Sequence, residues 1–275
     1  MTDVLTLKDL KPVDVPTACV IGHPIQHSKS PAIHNGWLKE CGIEGHYHAL
    51  DVAPEDLQEA VARLKECGYR GFNITIPHKQ NVMKYCDEVK NAAQQIGATN
   101  TVYFKDNKTI ADNTDAYGFI TNLYDQTDKV SLKGKTALVI GAGGAARAII
   151  YALIAEGISA IRITNRTFER TEALAQDFGH ICQALLWEGR SLGIQDCDLI
   201  VNTTSLGMQG YPDLDLDLAQ LKSDAIVADI VYTPLMTLLL KRAQGQGNAI
   251  VTGYGMLIFQ AQRAFEHFFS VLPRV

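Results

Sequence analysis

Apolar and polar positions follow one another in blocks along the first hundred residues, in the order strand, helix, strand. Residues 17–22 (TACVIG) form a short apolar run that ends in glycine, which predicts a buried strand. After the polar loop HPIQHSK, Ser30 and Pro31 are typical of an N-cap and first helical residue, so we expect a helix through about Glu40. The segments GHYHALDV, PEDLQEAVARLKECG and GFNITI predict a strand, an amphipathic helix ending at Gly68 and a further strand. Residues 1–110 are therefore expected to be α/β.

A second series of strands begins at Lys135. Its members are TALVIG, SAIRITN, DCDLIVNTT, AIVADIV and NAIVTG, most of them separated by helical or loop stretches. This order is typical of a doubly wound domain with a parallel sheet. The final stretch, GMLIFQAQRAFEHFFSVL, has apolar residues at helical spacing, and we expect that helix to pack back on the first domain. The polar stretch YDQTDKVSLKGK is the most linker-like region, so the domain boundary is expected near it.

Composition narrows the classes of function. The chain has 275 residues, 47% of them hydrophobic, and a net charge of −5, which argues against an extended nucleic-acid footprint. Its N-terminal residues lack the apolar run of a signal peptide and no segment reaches membrane-spanning length, so a cytoplasmic protein is expected. The six cysteines form no C-x-x-C pair and are interpreted as reduced thiols. His46 and His48 would share one face of a strand, but without a third ligand we expect no metal site.

A glycine-rich turn follows the strand TALVI. Residues 141–146 (GAGGAA) fit the G-x-G-x-x-A pattern and lead into a helical sequence. Gly141 would permit the tight turn, Gly143 the close approach of a pyrophosphate, and Ala146 close packing of helix and strand. A glycine turn that binds nothing is the alternative, and the order strand, turn, helix favours a dinucleotide site.

The end of the next strand indicates which dinucleotide. An NAD enzyme usually has Asp or Glu there to accept from the ribose 2′-hydroxyl, whereas this chain has Asn165, Arg166 and Thr167. Arg166 and Arg170 could hold a 2′-phosphate through charge-assisted hydrogen bonds. NADP is therefore favoured. The alternative for Arg170 is that it is only an exposed residue on the helix that follows.

Polar side chains also gather around the first group of strands. Ser28 and Ser30 precede a predicted helix whose N-terminus would attract a carboxylate; alternatively, Ser30 only caps that helix and Ser28 is solvated. Thr75 and Lys79 follow a strand end, where open α/β sheets bind ligands, so Lys79 is a candidate acid or base.

Two further polar segments supply an amide and a carboxylate. GATNT contains Asn100 and NTDAYG contains Asp115, and both are expected at loop positions. Each segment is weak evidence alone, because a turn Asn and a helix-capping Asp are commoner than catalytic ones.

Taken in order, HSKSPAIHN, NITIPHK, GATNT, NTDAYG, GAGGAAR, NRT, NTTSLGM and GYGMLIFQA resemble the shikimate dehydrogenase family over nearly the whole chain. The resemblance implies NADPH-dependent reduction of 3-dehydroshikimate to shikimate in aromatic amino acid (chorismate) biosynthesis. It implies an α/β substrate domain of residues 1–117 and 254–275, a Rossmann NADP domain of residues 118–253, and an active site in the cleft between them. The partner is then a small-molecule substrate, and a homodimer is an assembly that the resemblance allows.

The resemblance also implies roles for individual residues. Ser28 and Ser30 would bind the substrate carboxylate, and Lys79 and Asp115 would form the catalytic pair. Residues implied at the ring hydroxyls are Thr75, Lys79, Asn100, Asp115 and Gln260, with Tyr232 lining the cleft. Residues implied at the cofactor, beside Gly141, are Gly143, Gly144, Ala145, Asn165, Arg166, Thr167, Arg170, Thr204, Ile230, Gly253 and Met256.

Three positions depart from the family pattern: Lys29, Thr203 and Tyr254. Lys29 lies between the two serines, so this departure bears on substrate preference. Whether Lys79 donates a proton or acts only electrostatically stays open. The rival hypotheses are a quinate- or NAD-preferring dehydrogenase and a ligand-sensing module without catalysis; Arg166 disfavours NAD, and the presence of both Lys79 and Asp115 disfavours the sensor.

Overall fold

The computed structural model describes residues 4–275, whose contacts divide them into two compact units. Unit 1 ends at Thr114 and resumes at Gln260, and unit 2 is Asp115–Phe259. The polar stretch 124–135, which the sequence suggests as a linker, lies inside unit 2. No helix among the described residues is long and apolar enough to cross a bilayer.

Unit 1 is built on a seven-stranded mixed sheet in the order β1-β3-β2-β4-β6-β7-β5. All neighbouring strands are parallel except β6, which is antiparallel to both β4 and β7. The strands are β1 (Val4–Leu5), β2 (Thr17–Gly22), β3 (His46–Asp51), β4 (Gly71–Ile74), β5 (Glu88–Val89), β6 (Thr101–Lys105) and β7 (Lys108–Asp112); the helices are α1 (Ser30–Glu40), α2 (Leu57–Glu66) and α3 (Asn91–Ile96), with short 3-10 helices at Leu7–Asp9, Pro54–Asp56 and Val82–Tyr85.

The predicted elements of unit 1 are confirmed, with one correction at the start of α1. Lys29 is the N-cap and Ser30 is the first helical residue, so the predicted capping role of Ser30 is wrong. The amphipathic pattern of α2 buries Leu57, Ala60, Val61 and Leu64, which recur at helical spacing.

The β6–β7 hairpin was not predicted. Its two turn residues, Asp106 and Asn107, have φ values of 50° and 60°. Positive φ at both turn positions suits a two-residue hairpin, but the usual glycine signal is missing here. The hairpin matters because the predicted loop segments GATNT and NTDAYG adjoin its two ends.

Unit 2 is a six-stranded, entirely parallel sheet in the order β10-β9-β8-β11-β12-β13. The predicted doubly wound fold is confirmed, and β10 is a strand that the sequence reasoning missed. The strands are β8 (Thr136–Ile140), β9 (Ala160–Thr164), β10 (Cys182–Leu185), β11 (Leu199–Asn202), β12 (Ile226–Asp229) and β13 (Ala249–Val251); the helices are α4 (Asp115–Gln126), α5 (Gly144–Ala155), α6 (Phe168–Phe178), α7 (Leu238–Gly245) and α8 (Tyr254–Phe269), with 3-10 helices at Trp187–Gly189 and Leu192–Ile194.

Helix α8 crosses the break between the units, and its residues from Gln260 belong to unit 1. There Phe265 and Phe268 join an aromatic cluster with His34 and Tyr47. The last helix therefore contributes to the core of unit 1 although it is remote in sequence.

Candidate active site

In unit 1 the candidate site lies at the carboxyl edge of the sheet, where β2 and β4 end side by side. The Thr75 amide donates to the Ile21 carbonyl at 3.0 Å, and the His23 amide donates to the Ile76 carbonyl at 3.0 Å. A Cβ on Gly22 would lie 2.5 Å from Thr75 Cγ2, so glycine is needed for this close approach. These contacts fix Thr75 and the start of both loops at the edge.

Lys79 follows β4 on a turn that is anchored on both sides. Its carbonyl accepts from the Thr99 amide at 2.7 Å, and the neighbouring His78 is buried with its Nε2 at 2.7 Å from the Val52 carbonyl. The Lys79 residue itself is half-buried. The backbone of the predicted acid or base is thus held against the segment that leads to Asn100.

Asn100 is the centre of a buried polar network. It is 2% exposed; its Oδ1 accepts from the Thr114 amide at 2.7 Å, and its Nδ2 donates to Thr114 Oγ1 at 2.9 Å. The same Nδ2 donates to Gln260 Oε1 at 3.1 Å. Two residues that the sequence predicts at the ring hydroxyls therefore meet across 160 positions of the chain.

The network continues into residues that the sequence reasoning missed. The Tyr47 hydroxyl donates to Asn73 Oδ1 at 2.6 Å, and Asn73 Nδ2 donates to the Asn100 carbonyl at 3.1 Å and to Thr101 Oγ1 at 3.0 Å. Buried polar groups need such partners, so the asparagine within the apolar strand GFNI was the available signal.

An aromatic cluster lies beneath this network. The His34 ring stacks on Tyr47, with 4.0 Å between centroids and 7° between ring planes. His34 is fully buried and neither of its ring nitrogens has a hydrogen-bond partner among the described residues. Burial lowers the pKa of His34 to about 3, so the ring is neutral.

Ser28 and Ser30 lie at the N-terminus of the eleven-residue helix α1, and both are half-buried. The Ser30 amide donates to Ser28 Oγ at 3.3 Å, so the Ser28 hydroxyl takes part in the first turn of the helix. Lys29 between them is exposed. The helix N-terminus offers the electrostatics that a carboxylate requires.

In unit 2 the glycine turn connects β8 to α5. Gly141 has a φ of 120°, and a Cβ there would meet the side chains of Thr203 and Thr204. Gly143 is the N-cap of α5, and a Cβ there would meet no atom within 4 Å. Gly141 is therefore required by the fold, whereas Gly143 leaves its backbone open toward the space in front of the helix.

A groove runs beside this turn. Its lining includes five residues predicted at the cofactor: Gly141, Gly143, Asn165, Arg166 and Thr204. The lining that the sequence reasoning missed consists of Ala142, Trp187, Thr203, Ser205 and Leu206.

The remaining predicted cofactor residues lie outside that lining. Gly144 and Ala145 begin α5, Thr167 is the N-cap of α6, and Arg170 is exposed in the first turn of α6. Asn165 Nδ2 donates to the Thr167 carbonyl at 3.1 Å. The guanidinium of Arg190 lies 4.6 Å above the Trp187 ring and fixes that part of the groove wall.

The other predicted residues of unit 2 lie in three places. Ile230 and Tyr232 follow β12, Gly253 and Met256 follow β13, and Asp115 begins α4. A Cβ on Gly253 would collide with the Ile230 carbonyl, so these two segments touch through backbone. Met256 packs in the core of unit 2, and burial raises the pKa of the half-buried Tyr232. Asp115, 6% exposed, is the first residue of α4, so its predicted loop position is wrong; it belongs to unit 2, and Lys79 belongs to unit 1.

Comparison with known proteins agrees with both units. A family model described as the shikimate dehydrogenase substrate binding domain matches residues 20–102, and one described as shikimate / quinate 5-dehydrogenase matches residues 124–209. A shikimate dehydrogenase (NADP(+)) of Dinoroseobacter shibae is 47% identical over 264 residues, which cover 96% of this chain and 95% of that protein.

Solved structures give the same result. The shikimate 5-dehydrogenase from Thermus thermophilus in complex with NADP(H) and shikimate is 36% identical, with a TM-score of 0.83 over 94% of this chain and 95% of that one. A quinate dehydrogenase from Corynebacterium glutamicum in complex with NAD is 30% identical, with a TM-score of 0.87 over the same shares.

The fold and the glycine-turn groove define a two-unit α/β protein with a Rossmann-type dinucleotide unit. The chain belongs to the shikimate dehydrogenase family.

Proposed function

We propose that the protein catalyses the reversible, NADPH-dependent reduction of 3-dehydroshikimate to shikimate, a step of chorismate biosynthesis. The observation that carries this proposal is the 47% identity to an NADP(+) shikimate dehydrogenase over 96% of the chain. The local geometry supports it in each unit, through the Asn100 network in unit 1 and the glycine-turn groove in unit 2.

The groove suits NADP in two respects. The open space next to Gly143 leaves backbone amides at the start of α5 accessible to a pyrophosphate. Arg166, instead of a carboxylate, lines the groove after β9 and can bind a 2′-phosphate, with Arg170 in the first turn of α6. When bound, NADPH supplies the hydride. Thr204, Ile230, Gly253 and Met256 are proposed toward the ribose and nicotinamide.

The substrate is proposed to bind on unit 1. Ser28 and Ser30 at the start of α1 would hold its carboxylate, and Thr75, Asn100 and Gln260 its ring hydroxyls. Because Asn100 already bonds to Thr114 and Gln260, its amide is held in one orientation before substrate arrives. Such preorganisation lowers the entropic cost of binding.

Ketone reduction also needs a proton at the oxygen. We propose that the Lys79 ammonium donates that proton to the developing alkoxide, or stabilises its charge, and that Asp115 orients the hydroxyl. Hydride addition at carbon and protonation at oxygen together convert the ketone to a secondary alcohol. Tyr232 is proposed to line the same site.

Two coarser proposals concern assembly and location. We propose a homodimer, which light scattering of the purified protein would test. We also propose action in the cytoplasm, which is consistent with six cysteines present as free thiols.

The test is a set of four initial-rate assays in which shikimate or quinate is offered with NADP or NAD, followed by the absorbance of the reduced cofactor. The proposal predicts the highest kcat/KM for shikimate with NADP. A higher value for quinate or for NAD would assign the chain to the other dehydrogenase type, and no turnover in any assay would favour a ligand-sensing module.

A further inference from the structure

Asp229 is a buried carboxylate that the proposed chemistry does not use. It ends β12, is 2% exposed, and is the register partner of Asn202 at the end of β11. Burial raises the pKa of Asp229 to about 6, although three hydrogen bonds oppose the rise. This environment disfavours the charged carboxylate, so specific hydrogen-bond partners must compensate for its charge.

Those partners belong to three different segments. Asp229 Oδ1 accepts from Asn202 Nδ2 and from the Val231 amide, both at 3.0 Å. Asp229 Oδ2 accepts from the Thr237 hydroxyl at 2.8 Å, and Thr237 caps the N-terminus of α7. One side chain thus joins the end of β11, the segment after β12 and the start of α7.

The Asn202 amide extends this link to the groove. Its Nδ2 also donates to the Leu206 carbonyl at 3.0 Å, and its Oδ1 accepts from the amide and the hydroxyl of Thr204 at 3.1 and 2.8 Å. Thr204 Oγ1 in turn accepts from the Leu206 amide at 3.0 Å. Thr204 and Leu206 both line the glycine-turn groove.

The chemistry of the partners permits only one orientation of that amide. A carboxylate only accepts hydrogen bonds and a backbone amide only donates them. Asn202 must therefore turn its NH₂ toward Asp229 and its oxygen toward Thr204. If Asp229 no longer accepted, the Thr204 amide and the Leu206 carbonyl would still orient the Asn202 side chain, but the hydrogen bond that ties this side chain and the 203–206 loop to the end of β12 would be lost.

We propose that Asp229 is a positioning residue that holds the 203–206 loop and the segment after β12 in the geometry that binds the dinucleotide. This inference rests on the proposed function, because it assumes that the groove takes NADP. Asp229 itself does not line the groove and acts through Asn202 and the Val231 amide.

The test compares Asp229→Leu with Asp229→Asn. Leucine removes every acceptor, so the KM and Kd for NADP should rise by about tenfold or more. Asparagine keeps one oxygen for Asn202 and Val231, and its NH₂ can donate to the Thr237 oxygen, so NADP affinity should stay within about threefold of the wild type.

Asp198→Asn is the matched control. Asp198 precedes β11 at the opposite end of the sheet and bonds to Lys135, Lys222 and the Thr136 amide. Loss of that carboxylate should lower thermal stability without changing the KM for NADP. An equal rise in the KM for NADP in Asp229→Leu and Asp198→Asn would show a general stability effect and overturn the inference.

If Asp229→Leu does not fold, Asn202→Ala decides the question, because it keeps the carboxylate but removes the link to Thr204; its NADP Kd should rise by about fivefold or more. Unchanged NADP affinity in folded Asp229→Leu or in folded Asn202→Ala would overturn the inference. A wild type that binds no NADP would instead overturn the proposed function.

Discussion

Unit 1 should lose stability in mild acid, because His34 can bind a proton there only when the chain is unfolded. The ring is fully buried, stacks on Tyr47 and has no polar partner among the described residues, so the native state accommodates only its neutral form. Burial lowers its pKa from 6.5 to about 3. Above pH 6.5 neither folded nor unfolded chain binds this proton; as the pH falls toward 3, only the unfolded chain does, and stability is lost.

The magnitude follows from that shift. At about pH 5 the unfolded chain is stabilised by about 2 kcal/mol relative to neutral pH, since each pH unit contributes about 1.36 kcal/mol. His34→Phe keeps a flat ring in the cluster but cannot be protonated. The free energy of unfolding of the wild type should therefore fall by about 2 kcal/mol more than that of His34→Phe between about pH 7.5 and pH 5.

Urea unfolding followed by tryptophan fluorescence measures this difference. Trp37 lies 5.7 Å from His34 between ring centroids, and a Trp187→Phe background makes it the only tryptophan that reports. His180→Phe, at an exposed histidine of unit 2, is the control, and its pH profile should match that of the wild type. Parallel pH profiles for the wild type and His34→Phe would refute the reasoning.

Three further predictions concern ligand affinity. Gly143→Ala should leave the melting temperature unchanged, because its Cβ meets no atom within 4 Å, yet raise the KM for NADP by about tenfold or more; normal NADP kinetics would contradict the pyrophosphate assignment. Replacement of Ser28 or Ser30 by Ala should raise the KM for shikimate with little change in kcat, and a kcat defect alone would argue against a carboxylate contact. Arg166→Ala should lower kcat/KM for NADP by about 10- to 150-fold and leave that for NAD unaltered, so an unchanged cofactor ratio would exclude the 2′-phosphate contact.

The periodicity of apolar residues predicted the elements that are buried throughout or along one face. β2 is buried at every position and α2 has one apolar face, so their patterns survive in the fold. β10 is short and only partly buried, and the β6–β7 turn uses Asp106 and Asn107 in place of glycine, so neither produces the usual signal.

The parts of the candidate site that a single local motif forms were predictable from the sequence. The glycine turn and Arg166 are such cases, and both line the same groove. The pairs Asn73–Thr101 and Asn202–Asp229 were not predictable, because their partners lie 28 and 27 residues apart and meet only through strand order. Trp187 was missed because it follows the unpredicted β10.

The proposed role of Lys79 is to act on the carbonyl oxygen of a ketone that NADPH reduces. The rate of 3-dehydroshikimate reduction at saturating NADPH tests this role when the wild type, Lys79→Ala and Lys84→Ala are compared, and Lys84 serves as the control because it is an exposed lysine. We predict that kcat falls by about 10²- to 10⁴-fold in Lys79→Ala alone, with the NADPH Kd unchanged. Near-normal turnover in Lys79→Ala would contradict the proposed role.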